Sequence, residues 1–263
     1  MAEYTEKQKL DFVLSALKIQ NERVKLGAIF RKEAELITAL AKKTGAIAVS
    51  DFGCWTGILA VEIFKAWPEL KTYRAVEAVP LFVEFAKDQL KDHPVEFIGA
   101  TLVPRLLNLP EVTHLSVNPF DTLNTASIFT TKKMVDMLVK IPVYPNTSIT
   151  PFVQTHPELF KDDVYVKIDL DGVDIATVET VLSQKQSPAV IQFEVWKYFY
   201  DKGLPDLIDS LNADGYRWPS DLDYKKYTHF SIALSRGHGW WFVGYSPNPY
   251  DEKALVSDYK VEF

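Results

Sequence analysis

The stretch VSDFGCWTGILA, residues 49–60, places Asp51, Gly53 and Gly57 where an apolar run gives way to a helical pattern. A carboxylate followed by two glycines at such a junction marks a loop whose backbone something approaches closely. The spacing is D-x-G-x-x-x-G. It lacks the G-x-G that brings backbone against a pyrophosphate, and no Gly-Lys-Ser/Thr follows as in a phosphate-binding P-loop. No lysine or arginine lies between Asp51 and Ala60, which argues against a multiply charged phosphate ligand. A ligand with an ammonium or sulfonium centre and an adenosine needs instead a nearby carboxylate, close backbone approach and a second acid for its ribose. Glu77, ending TYRAVEA, supplies that acid, because a carboxylate at the tip of a second strand accepts from both the 2′ and 3′ hydroxyls. These needs match S-adenosylmethionine. On this reading Asp51, Gly53 and Thr56 border the methionine end, and Gly57 belongs to the same cofactor loop. Trp55 either stacks on the adenine, closes a substrate channel or packs against the first helix.

A second group gathers further along. Asp169 and Asp171 follow the run VYVKI, and Glu194 ends VIQFE. Carboxylates two apart after a strand touch cofactor or substrate, cap the next helix, or hold a metal. The first reading is taken here, with Asp169 and Asp171 at the reacting centre and no metal assigned. Lys167 alternates with Ile168, and its direction is left open. His114 is an alternative base, as is His238. Trp240 and Trp241 are adjacent, so on a strand they face opposite sides. Lone Cys54 has no base beside it in the sequence and reads as a small packing residue. Asn118, Asn124 and Ser127 are candidate hydrogen-bonding groups for a hydroxylated acceptor.

These residues need a scaffold that brings strand ends together. From residue 46 short apolar runs alternate with helix-length segments: AIAVSDF, ILAVEIFKAW, TYRAVEA, PLFVEFAKDQLKD and VEFIGA. That alternation predicts βαβ units and a parallel sheet. Residues 113–150 hold strand-like runs broken by Asn, Thr and Pro, and read as an insertion over the sheet's carboxyl edge. Regularity returns with DVYVKIDL, DIATVETVLSQ, PAVIQFEV and a helix from about Leu204 to Ala213 closed by Gly215. FSIALSRGHGWWFVGYS predicts a hairpin and an antiparallel edge. Before all this, Leu10, Val13, Leu14 and Leu17, then Leu26, Ile29, Phe30, Ile37, Leu40 and Ala41, fall on helical stripes. The expected organisation is an N-terminal helical extension over 1–44 and a binding domain over 45–263. The two helices cap the site or mediate association, with a homodimer the assembly considered.

In this order the motifs resemble those of the FkbM-type methyltransferases, a branch of the class I S-adenosylmethionine-dependent enzymes. DFGCWTG resembles that family's first glycine motif, RAVEAVPLFVEFAKDQL its acidic residue followed by proline and a helix, and VKIDLDGVDIATVETVL its Lys-Ile-Asp-x-Glu-Gly signature. The likeness spans roughly residues 45–220. Cys54 and Trp55 stand where the family often has Ala-Asn, and Asp171 replaces its glutamate. The resemblance implies a Rossmann-like α/β fold with a mostly parallel seven-stranded sheet and an antiparallel edge. It also implies O-methylation of a small hydroxylated metabolite or sugar unit. N-methylation, a SAM-consuming reaction without methyl transfer, a dinucleotide-dependent oxidoreductase and a non-catalytic adenosyl-binding subunit are the alternatives.

Composition narrows the partners. Among 263 residues the formal net charge is −6, with 47% hydrophobic residues and one cysteine. An acidic chain without a basic stripe is a poor fit to nucleic acid or an anionic membrane. One cysteine excludes an internal disulfide. No apolar run reaches the roughly 20 residues of a membrane span, and the start MAEYTEKQKL is polar, so a cytoplasmic protein with a small-molecule acceptor is expected.

Overall fold

The computed structural model describes residues 29–103, 114–117, 139–170, 172–245 and 258–263, with Gln8, Asp11, Leu14, Ser15, Lys18 and Ile19 as isolated helical positions. Helix α1 (Ile29–Thr44) buries Ala34, Ile37, Leu40 and Ala41. Its last turn is closed by the Thr44 hydroxyl, which donates to the Leu40 and Ala41 carbonyls, and by Gly45 at φ 75°. Then come β1 (Ala48–Phe52), α2 (Ile58–Ala66), β2 (Thr72–Glu77), α3 (Pro80–Gln89) and β3 (Val95–Gly99). The expected proline stands at the first turn of α3, where a missing N–H costs nothing.

The segment after β3 forms two small sheets, β4 (Thr101–Val103) with β7 (Asn146–Ser148), and β5 (His114–Val117) with β6 (Val139–Pro142). Its returning chain docks on the carboxyl ends of β2 and β3. The Tyr144 amide donates to the Ala78 carbonyl at 2.9 Å, and the Tyr144 ring lies where a side chain at Gly99 would stand. The chain continues through α4 (Ile149–Thr155), β8 (Val164–Ile168), α5 (Asp174–Ser183), β9 (Val190–Trp196), α6 (Leu204–Ala213), β10 (His229–Ser235), β11 (Trp240–Tyr245) and β12 (Asp258–Glu262).

The main sheet runs β3-β2-β1-β8-β9-β10-β11-β12. Strands β3 to β9 are parallel, and β10 to β12 extend the sheet antiparallel. This is the expected mostly parallel α/β architecture with an antiparallel C-terminal edge. It has eight strands among the described residues rather than seven, because β12 adds beyond the predicted hairpin. One face packs on α1 and α2 around Val49, Tyr73, Tyr165 and Trp241. The other packs on α4, α5 and α6 around Phe52, Val166, Ile168 and Phe193. Helix α1 therefore shares a core with the sheet. No described helix is long and apolar enough to cross a membrane.

Candidate functional site

The strand order reverses at β1, which lies between β2 and β8. In an open α/β sheet the loops leaving such neighbours diverge and open a crevice at the carboxyl edge. Asp51, Gly53, Trp55, Glu77 and Asp169 all gather there. Period-2 alternation also puts one row on the α1 face, since Asp51 pairs with Lys167 and Lys167 with Gln192.

At Gly53 the close approach comes from the protein itself. The residue has φ 83°, and a Cβ would stand 1.8 Å from the Asp169 carbonyl oxygen. The Asp169 amide in turn donates to the Phe52 carbonyl at 2.9 Å, locking the β8 exit onto the β1 exit. Gly57, at φ 76°, sits under α3, where a Cβ would meet Leu90 at 2.8 Å and Ala86 at 3.1 Å. Thr56 is fully buried, and its carbonyl accepts from the Gln89 amide. Trp55 holds a left-handed φ of 48°, unusual for a bulky residue. Its buried indole Nε1 has no hydrogen-bond partner.

Glu77 ties this loop to β2. Its Oε2 accepts from the Trp55 amide at 2.9 Å, and its Oε1 from the Val79 amide at 3.0 Å. Burial pushes its carboxyl up to about 7, against the pull of those amides. Asp174 does the same for the loop after β8, accepting from the Leu170 and Gly172 amides at 3.1 Å each. Burial, then the charge of Asp169, raises it to about 7. A carboxylate with two amide bonds keeps lone pairs for a further donor.

Under the loop lies a buried charge cluster. Asp51 is 1% exposed; its Oδ2 accepts from the Tyr73 hydroxyl at 2.6 Å, and its Oδ1 lies 3.2 Å from Lys167 Nζ. That second contact is an ion pair without hydrogen-bond alignment. Lys167 Nζ also lies 3.2 Å from Asp169 Oδ2. Burial works against the Lys167 charge, yet Asp169, Asp51 and Glu33 outweigh it and hold its pKa well above the ordinary lysine range. Lys167 thus points into the cluster. Glu33, from α1, accepts from the Gln192 amide at 2.7 Å, and burial raises its carboxyl. Tyr165 bridges the row, donating to Gln192 at 2.9 Å and accepting from the Trp241 indole at 3.2 Å.

The antiparallel half carries rings. His229 is paired in register with Trp196 and with Tyr245, and stacks between them with centroids 4.3 Å away on either side. Its Nδ1 is 3.2 Å from Thr228 Oγ1, and its Nε2 is 3.7 Å from Glu194 Oε1. The other Glu194 oxygen accepts from the Trp196 indole at 3.0 Å. Burial lowers His229 to about 4, so the imidazole is neutral at pH 7. Tyr245 is held well above the ordinary phenol range by burial and by the carboxylates of Glu33, Glu194 and Asp169.

Sequence reasoning placed Asp51, Gly53, Trp55, Glu77 and Asp169 in one region, and the fold joins them. Asp171 lies outside the described residues, as do Asn118, Asn124, Ser127 and the side chain of His114; the backbone of His114 belongs to the β5-β6 ribbon, outside the main sheet. His238 is exposed in the β10-β11 turn at the amino edge, away from the site, because an antiparallel hairpin returns there. Cys54 is a buried packing residue whose thiol burial pushes well up. Trp241 is buried on the α1 face, whereas Trp240 reaches Glu262 at 3.0 Å. Glu33 and His229 were missed. The signal for His229 was its place as the first residue of FSIALS's strand, legible only once β10 is known to run antiparallel to β9.

No known protein-family model matches the chain, nor does any curated protein. Among solved structures it is similar to an O-methyltransferase from Bacillus cereus in complex with SAH, at 12% identity over 86% of this chain and 90% of that one, TM-score 0.44. It is also similar to a precorrin-6y C5,15-methyltransferase from Geobacter metallireducens, at 15% identity over 69% and 72%, TM-score 0.36. A third is Aeropyrum pernix fibrillarin with natively bound S-adenosyl-L-methionine, at 10% identity over 76% of each chain, TM-score 0.39. At these levels the likeness bears on neither substrate nor residue roles; the strand order itself defines the architecture.

Proposed function

We propose that the protein is an S-adenosylmethionine-dependent methyltransferase of the FkbM type, acting on a hydroxyl of a small metabolite or sugar unit. The observation that carries this reading is the Glu77 carboxylate at the β2 tip, joined to the Trp55 amide of the glycine loop beside the β1/β8 crevice. Its remaining lone pairs suit a ribose diol, and the unpartnered Trp55 Nε1 is a free donor for a ligand oxygen. A dinucleotide fits less well: the loop has no cation, and Lys167 is engaged by Asp51 and Asp169. The cofactor, when bound, supplies an activated methyl group. The chain's part is positioning, worth several kcal/mol, and taking up the acceptor's proton. Asp169, whose half-exposed carboxylate sits beside Lys167 at the crevice, is the group for that second role.

A second reading, N-methylation of an amine, is favoured by the carboxylates of Glu33, Asp169 and Glu194, all acting on Tyr245, which would attract an ammonium. Product mass separates the two. Isothermal titration with S-adenosylmethionine, S-adenosylhomocysteine and NAD tests the cofactor. Saturable binding of both sulfur compounds but not NAD is expected, with Glu77→Ala raising the dissociation constant at least about tenfold, or 1.4 kcal/mol. Binding of NAD alone overturns the proposal.

A further inference from the structure

The far edge of the sheet bears an apolar stripe. Strand β12 pairs only with β11 among the described residues and is the last strand of the order. Tyr259 and Val261 alternate along it at 37% and 45% exposure, in the row that continues the α1 face past Val243 and Trp241, and Phe263, 44% exposed, follows just past its end. The strand is firmly placed. Gly239, at φ 110°, admits the Glu262 carbonyl to within 2.0 Å of where a Cβ would stand, and the Trp240 indole donates to Glu262. No proline or bulge interrupts it, so its outer N–H and C=O groups form a template for another strand.

The charges select which strand. Lys260 and Glu262 lie on the opposite face. In an antiparallel pairing of β12 with itself, a two-fold axis at Lys260 sets that lysine against its own copy, and like charges directly opposed are destabilising. An axis at Val261 does the reverse. It sets Lys260 against Glu262 of the partner subunit twice, and on the other face Tyr259 against Phe263 of the partner subunit twice. Opposite charges and paired aromatics are the favourable cross-strand combinations, and a two-fold pairing uses up the β12 edge of both copies at once.

We infer that β12 is a homodimer interface, pairing antiparallel with a second copy of this chain about an axis at Val261, held by reciprocal Lys260–Glu262 pairs. This is independent of the cofactor reading. Light scattering after gel filtration, over a concentration series into the high micromolar range, tests it with circular dichroism as a check on folding. The wild-type chain is expected to shift from monomer to dimer. Lys260→Glu and Glu262→Lys, each opposing like charges, should weaken the dimer at least tenfold, and the double exchange should restore it. Val261→Glu, which brings two carboxylates together on the axis, should abolish it and serves if Glu262→Lys misfolds through loss of the Trp240 bond. A monomer throughout, as when another segment of the same chain covers the stripe, overturns the proposal. So does a dimer indifferent to all these changes, or a double exchange that fails to restore one.

Discussion

The two halves of the sheet's carboxyl edge solve the same problem with different chemistry. The parallel half, from β2 to β8, is built from backbone locks and charge: Gly53 against Asp169, Glu77 and Asp174 each pinning loop amides, Lys167 between two aspartates. The antiparallel half, from β9 to β11, is built from the Trp196–His229–Tyr245 ring stack with Glu194 at its rim. Their buried acids and base are displaced in opposite directions, Glu77 and Asp174 up to about 7 and His229 down to about 4. Parallel strands leave divergent loops that must be tied together. Antiparallel strands bring side chains into direct cross-strand register, where rings stack.

The largest expected effect breaks the parallel half's backbone lock. Gly53→Ala forces a Cβ into the Asp169 carbonyl at an unfavourable φ, and should cost about 4 kcal/mol or more in urea unfolding. Next, Lys167→Met leaves Asp51 buried with its charge unpaired, at about 3 kcal/mol. Adding Asp51→Asn should recover much of that loss; a purely additive double variant would mean the ion pair does not couple the strands.

The opposite pKa shifts give opposite pH dependence. A carboxyl raised from 4.5 to about 7, as in Glu77, contributes stability fully present below 4.5 and lost as pH rises to 7, about 3 kcal/mol in all. Glu77→Gln should remove that slope. A histidine lowered from 6.5 to about 4 contributes stability present above 6.5 and lost as pH falls to 4, of the same order. His229→Gln should make the protein less sensitive to acid, as read by melting temperature at stepped pH. The smallest effect expected is that of Asp174→Asn, about 1 kcal/mol at pH 7, since the amide oxygen still accepts one loop N–H.

Much of the fold was legible beforehand. Helical and strand periods located the elements flanking the site, and helix α6 occupies the span from Leu204 to Ala213 read from its pattern and Gly215. The glycines were recognised as sites of close approach, but the partner at Gly53 is the Asp169 carbonyl, more than a hundred residues on. Nothing local to VSDFG encodes that distant contact.

The sequence by itself determined which residues are hydrophobic, charged or free to take a positive φ, and hence which segments become strands with acids at their ends. Those are properties of a residue and its near neighbours. Only the tertiary structure decided that Lys167 turns toward Asp51, that Glu33 reaches the sheet from α1, and that His229 stands between Trp196 and Tyr245. Strand order, direction and register set those meetings, and they follow from burying both faces of one sheet at once.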